Sequence, residues 1–291
     1  MTGKLALAWL VHLYTALGAV VVFLTILSIE QLKFQEAFWL MSLAVVIDAT
    51  DGTLARAARV KELIPWFDGD RLEDIVDYAN YVIVPCWFFI HANLLPSGDA
   101  LWLACLPLLA SAYGFCQKEA KTSDNFFLGF PSYWNIIAFY LYVLRSPPWI
   151  NAFTILFLSV LVFVPIKYIY PSRSPRFRLL TNILGSLWGL AVLAIIYLLP
   201  EPPHSLVFVS LLFPAYYTAL SYGSHFGAAR PNSFSKRVIH ENAPAVWTLD
   251  FDTLDLGATM DRGYGPSGAA RNQFLQQRRN IFSSSLQTAP A

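Results

Sequence analysis

Eight apolar segments set the limits on what this chain can fold into. They run over about 6–29, 36–56, 72–95, 99–117, 131–145, 149–168, 179–199 and 204–224. A helix needs about 20 apolar residues to cross a bilayer, and several of these segments approach that length. In hydrocarbon, only helices and closed barrels satisfy every backbone polar group. Long apolar runs of this kind predict an all-α fold, a polytopic membrane helix bundle of about eight transmembrane helices. Charged residues make up only 13% of the 291, against roughly a quarter in a soluble domain. The first run is too long for the core of a signal peptide and lacks a clear small-residue cleavage site, so it reads as a membrane helix. Pro85, Pro107, Pro165 and Pro214 fall inside the segments, where they predict kinks. The fifth segment is short enough to be tilted or re-entrant.

Basic residues orient the bundle. With the N-terminus in the cytoplasm, 18 of the 20 Lys and Arg fall on one side, leaving Lys33 and Arg145 on the other. The positive-inside rule then places both termini in the cytoplasm, N-in and C-in. The formal net charge of +1 identifies no partner, and no nucleic acid is expected. Residues 1–225 form the membrane domain. Residues 226–291, rich in Ser, Gly, Asn, Gln and Arg, read as a cytoplasmic extension, largely disordered. Residues 56–70 run basic, then apolar through Trp66 and Phe67, which predicts a short amphipathic helix on the membrane surface. Cys86, Cys105 and Cys116 lack metal-site spacing and read as small core residues.

Acidic residues gather between Val46 and Tyr78, beside segments where charge is expensive. Asp51 and Gly52 follow Asp48 by three and four positions and Ala55 by seven, so one helix face carries all four and ends at Arg56. Downstream of Gly69, the residues Asp70, Glu73, Asp74 and Asp77 share an arc of roughly 100° on a second helix. So many like charges repel unless a cation lies among them. A donor set made only of carboxylates favours Mg²⁺ or Mn²⁺, and the lack of a nearby His or Cys argues against zinc. Two such ions on a diphosphate would stabilise the attacking and leaving oxygens of a phosphoryl-type transfer. Spacing alone leaves two other readings open. One is an acidic collar neutralised by Arg56, Arg59 and Arg71; the other is a cation pathway in an ion or solute carrier.

The run Asp48-Ala-Thr-Asp51-Gly52-Thr-Leu-Ala55-Arg56, then Gly69-Asp-Arg-Leu-Glu73-Asp-Ile-Val-Asp77, resembles the CDP-alcohol phosphatidyltransferase signature. That signature reads D-x2-D-G-x2-A-R, a spacer, then G-x3-D-x3-D. The first half matches at every fixed position; the second carries Glu73 where the signature has Asp. The long spacer, the segment from Val11 to Val20 and the run from Asp124 to Asn135 resemble the phosphatidylcholine synthase branch of that family.

The resemblance implies a transferase with CDP-diacylglycerol as donor and choline as acceptor, working among membrane lipids. Asp48, Asp51, Glu73 and Asp77 would hold divalent metal, Mn²⁺ or Mg²⁺, and Asp77 would also be the general base. Asp51, Gly52, Ala55, Arg56 and Gly69 would seat the CDP group. Asp70 and Asp74 share the arc as stand-ins for Glu73. Choline carries a permanent charge, which aromatic faces attract; Tyr81, Tyr133 and Trp134, with Asn135 beside them, are the candidates. Arg173 and Arg176 are candidates for the donor phosphate. Serine, inositol or glycerol phosphate as acceptor would make this a sister enzyme. A homodimer is compatible with the layout. His12 and His91 read as packing residues.

Overall fold

Helices apolar on most faces have to pack on one another or on lipid, and this chain does both. The computed structural model describes residues 2–117, 126–169 and 178–227. They form α1 (Thr2–Glu30), α2 (Phe34–Ala57), α3 (Val60–Leu63) and α4 (Gly69–Tyr78). A π turn at Ala79–Ile83 joins α4 to α5 (Val84–His91). Then come α6 (Ala100–Cys116), α7 (Trp134–Val143), α8 (Pro148–Phe163), α9 (Arg178–Tyr197), α10 (His204–Ser210) and α11 (Leu212–Gly227). The all-α membrane class follows as expected. Four rods, Gly3–Glu30, Phe34–Ala57, Leu179–Tyr197 and His204–Tyr222, are long and apolar enough to cross a membrane. The helices α6, α7 and α8 are shorter and apolar. At about 1.5 Å per residue, the 10 residues of α7 reach about half-way through a hydrocarbon core of roughly 30 Å.

A short antiparallel ribbon departs from the expected helices. It pairs β1 (Phe126–Leu128) with β2 (Lys167–Ile169), Phe127 opposite Tyr168. The segment over 149–168 therefore ends earlier than its hydropathy implied. Helix α8 stops at Phe163, and Val164 is extended (φ −86°, ψ 121°). Pro165 is the cause, because the residue before a proline is pushed out of the helical region. Pro165 thus ends a helix instead of kinking one. Pro107 does lie inside α6. Pro85 sits at the start of α5, where the missing N–H costs little.

The core joins α2, α5 and α7. Phe88, Phe89 and Trp134 are fully buried. The Phe38 ring meets Phe88 at 4.8 Å and Phe139 edge-on at 5.4 Å between centroids. Outward, Leu10, Phe23, Trp102, Leu109, Trp149 and Phe153 are exposed. Apolar surface of this extent is suited to lipid and not to water.

Helix α1 packs along α2 and against α4. A Cβ on Gly18 would lie 2.5 Å from Val76 Cγ1, so the missing side chain sets how closely α1 and α4 approach. The surface helix expected over 56–70 is a single turn, α3. Arg59 in the left-handed region (φ 51°) breaks the path from α2. Val60 and Ile64 then turn inward onto Ala8 and Val11 of α1. Protein therefore covers that apolar side, while Trp66 remains 72% exposed. Beyond Gly227, the extension at 226–291 lies outside the described residues.

Candidate active site

Helix α4 starts where its cap dictates. Asp68 Oδ1 accepts the Arg71 N–H at 3.0 Å, which satisfies one of the free amides of the first turn. From that start Glu73 and Asp77, four apart, face the same way, toward Asp48 on α2. One carboxylate oxygen from each of Asp48, Glu73 and Asp77 lies within 4.8 Å of the others. All three residues are half-buried. The extra methylene of Glu73 does not take it out of the group. Asp70 is turned outward instead, accepting from Lys61 Nζ at 2.7 Å on the exposed surface. That bond holds the Lys61 ammonium above its ordinary range. Asp74 is exposed.

Asp51 stands outside this triangle. It is 4% exposed, and Thr15 Oγ1 donates to its Oδ2 at 3.0 Å. Its Oδ1 is buried with no hydrogen-bond partner among the described residues. Asp48, Glu73, Asp51 and Asp74 are the charged neighbours of Asp77. The residues fit a divalent cation on two counts. Three carboxylates converge with oxygen donors only, the set that hard cations take. Next to them a buried carboxylate oxygen is left without a donor, and buried polar atoms normally have one.

Helix α1 braces the acid face of α2 at two successive residues. Tyr14 Oη and Thr50 Oγ1 lie 2.8 Å apart, and Thr15 holds Asp51. Tyr14 and Thr15 lie in the segment from Val11 to Val20 that carries part of the resemblance, but no position of the acid signature marks them. The available signal is that Thr15 and Gly18 are small residues three apart, on one face of an apolar helix. From the π turn, the Tyr81 hydroxyl donates to Asp48 Oδ2 at 2.6 Å.

The positions assigned to CDP divide into two kinds. Ala55 packs beside the Val60 and Ile64 cluster. A Cβ on Gly69 would come within 2.7 Å of His12 Cε1, so both positions have a packing reason to be small. His12 is buried, with its ring 4.4 Å from that of Phe67 and its Nε2 unpartnered among the described residues. Gly52 differs: among the described residues, a Cβ there would meet only Arg56 Nη1, at 3.4 Å, apart from the helix's own backbone. Arg56 itself is exposed and donates from Nη2 to Thr53 Oγ1 at 3.0 Å. Gly52 and Arg56 therefore present the open part of this face.

The aromatic candidates separate as well. Trp134 is fully buried in the core, its indole N–H donating to Ser111 Oγ at 2.8 Å, which leaves no face for a cation. Asn135 is buried, and its Oδ1 accepts the Ile136 N–H at 2.9 Å. Tyr133 is half-buried and hydrogen-bonded to Tyr217 of α11, a residue no sequence motif marks. Tyr81 is adjacent to the acids. Arg173 and Arg176 lie outside the described residues. A cavity of about 350 Å³ lined by Lys33, Glu36, Tyr142 and Pro200 borders the start of α2, far along that helix from Asp48.

No family model matches the chain. It is 39% identical over 222 residues to a phosphatidylcholine synthase of Legionella pneumophila, covering 74% of this chain and 87% of that protein. The chain belongs to the phosphatidylcholine synthase family. A phosphatidylcholine synthase of Legionella bozemanae is 38% identical over 205 residues, 68% of this chain and 94% of the relative. One from Pseudomonas aeruginosa is 38% identical over 183 residues, 63% and 77% of the two chains. Membership makes the chain a transferase.

Proposed function

We propose that this protein transfers the phosphatidyl group of CDP-diacylglycerol to choline, giving phosphatidylcholine and CMP. The carboxylate triangle of Asp48, Glu73 and Asp77, in a chain of this family, is the observation that carries the reading. Acyl chains of the donor lie among the exposed apolar side chains, and the CDP group sits over Gly52 and Arg56. Asp77 takes the proton of the choline hydroxyl on a carboxylate oxygen. The choline oxygen forms a bond to the phosphorus that bears diacylglycerol. The bond from that phosphorus to the oxygen of CMP breaks, and CMP leaves with the electron pair. Asp48, Asp51, Glu73 and Asp77 would hold a divalent cation, Mn²⁺ or Mg²⁺, which would neutralise the carboxylates and supply positive charge for the diphosphate. Arg56 adds positive charge beside the donor. Tyr133 is the aromatic candidate left to face the acceptor.

The placement of 18 of 20 basic residues on one side supports a site on the cytoplasmic face of a bacterial inner membrane. Eight crossings are formed by α1, α2, α4 with α5, α6, α7, α8, α9, and α10 with α11. Residues 226–291 are a cytoplasmic appendage to this domain.

An acceptor panel tests the reading. CMP release from CDP-diacylglycerol by purified protein is measured with choline, serine, inositol or glycerol phosphate, in Mn²⁺ or Mg²⁺. Choline alone should support release. Release with another acceptor would keep the site and change the substrate. No release with any acceptor, together with cation flux across sealed vesicles, would favour a carrier.

A further inference from the structure

Tyr81 projects from the π turn, four residues past Asp77 and on the same side of the helix. As a candidate for choline it would offer its ring. The structure shows its hydroxyl engaged with Asp48 Oδ2 at 2.6 Å, in a part-buried bond between residues 33 apart in sequence. A short hydrogen bond to a carboxylate is among the stronger kinds, and it restricts how that carboxylate turns. The partner oxygen belongs to one corner of the triangle, with Glu73 and Asp77 at the others. Carboxylates that ligate metals are oriented by such outer partners. The turn itself fits the role, because π turns inside helices frequently mark functional positions.

We propose that Tyr81 is a positioning residue: its phenol fixes the Asp48 carboxylate so that the Asp48, Glu73 and Asp77 oxygens are preset for a divalent cation. The proposal rests on the metal-dependent reading above. Thr15 holds Asp51 in a parallel way at 3.0 Å, so Asp48 and Asp51, the two signature acids of α2, are each steadied from a different helix.

The test is direct Mn²⁺ binding to the full-length protein in detergent, stripped of metal and titrated while free Mn²⁺ is followed by electron paramagnetic resonance. Wild type is compared with Tyr81→Phe and Tyr78→Phe. Tyr78 is on the same rod, and its hydroxyl donates to Leu108 O at 2.8 Å, so Tyr78→Phe removes a hydroxyl that serves packing alone. Tyr81→Phe should weaken Mn²⁺ binding by about 10–100-fold, with Tyr78→Phe close to wild type. In turnover, Tyr81→Phe should raise the Mn²⁺ needed for half-maximal rate more than the KM for choline. Wild-type Mn²⁺ affinity in Tyr81→Phe overturns the proposal. A rise in choline KM alone also overturns it and places Tyr81 in the acceptor site. If Tyr81→Phe loses Mn²⁺ affinity but wild type makes no phosphatidylcholine, the proposed function fails and the positioning role stands.

Discussion

Glu73 is the one acid at which this sequence departs from the signature, yet it shares a triangle with Asp48 and Asp77 within 4.8 Å. Its place was legible from spacing, because Gly69, Glu73 and Asp77 keep the four-residue steps that hold one helix face. Glu73→Asp should therefore keep phosphatidylcholine synthesis within about tenfold, while Glu73→Gln should raise the Mn²⁺ required for half-maximal rate. Equal metal dependence in Glu73→Gln and wild type would remove Glu73 from the metal site. Asp77→Asn should lower turnover by about 10²–10⁴-fold, the usual range for a lost general base. A rate within tenfold of wild type would place the base elsewhere. The hydrogen bonds from Thr15 to Asp51 and from Tyr81 to Asp48 were not legible. They join residues 36 and 33 apart, and nothing in a local pattern says which hydroxyl meets which carboxylate. Trp134 shows the converse. An aromatic beside a polar run looked like a cation site, but its ring fills the core and its N–H is taken by Ser111.

At the scale of elements, the closeness of α1 and α4 matters most, since α4 carries two of the three acids. Gly18 sets that distance against Val76. Gly18→Val should destabilise the folded protein by about 1–3 kcal/mol through overpacking, read as a lower midpoint of thermal unfolding in detergent. Adding Val76→Ala should recover part of the loss, because contacting residues are not additive. If the double variant is only the sum of the singles, Gly18 and Val76 are not the contact that spaces the helices. Helix existence was legible from apolar length, but helix ends were not. Pro165 converted the end of one apolar run into β2. Arg59 in the left-handed region cut the surface helix to one turn, and Ile64 found α1 rather than lipid. Both outcomes depend on a tertiary neighbour or a single dihedral angle, which hydropathy does not encode.

For the whole molecule, the membrane bundle was legible because several apolar segments approach the length of a membrane span, and the uneven placement of Lys and Arg is the ground for the orientation proposed above. In sealed vesicles of known orientation, with the native cysteines replaced by Ala, Trp66→Cys should react with an impermeant maleimide from the cytoplasmic side. Glu201→Cys should react from the other side; the reverse pattern would invert the proposed topology. The central claim is that the acids of α2 and α4 move a phosphatidyl group to choline. Its most direct test is incorporation of labelled choline into phosphatidylcholine by the purified protein, with CDP-diacylglycerol and Mn²⁺, in wild type and in Asp77→Asn. The account predicts one CMP released per labelled lipid in wild type, dependence on divalent metal, and loss of both products in Asp77→Asn. Labelled lipid formed equally well by Asp77→Asn, or formed without divalent metal, would contradict it.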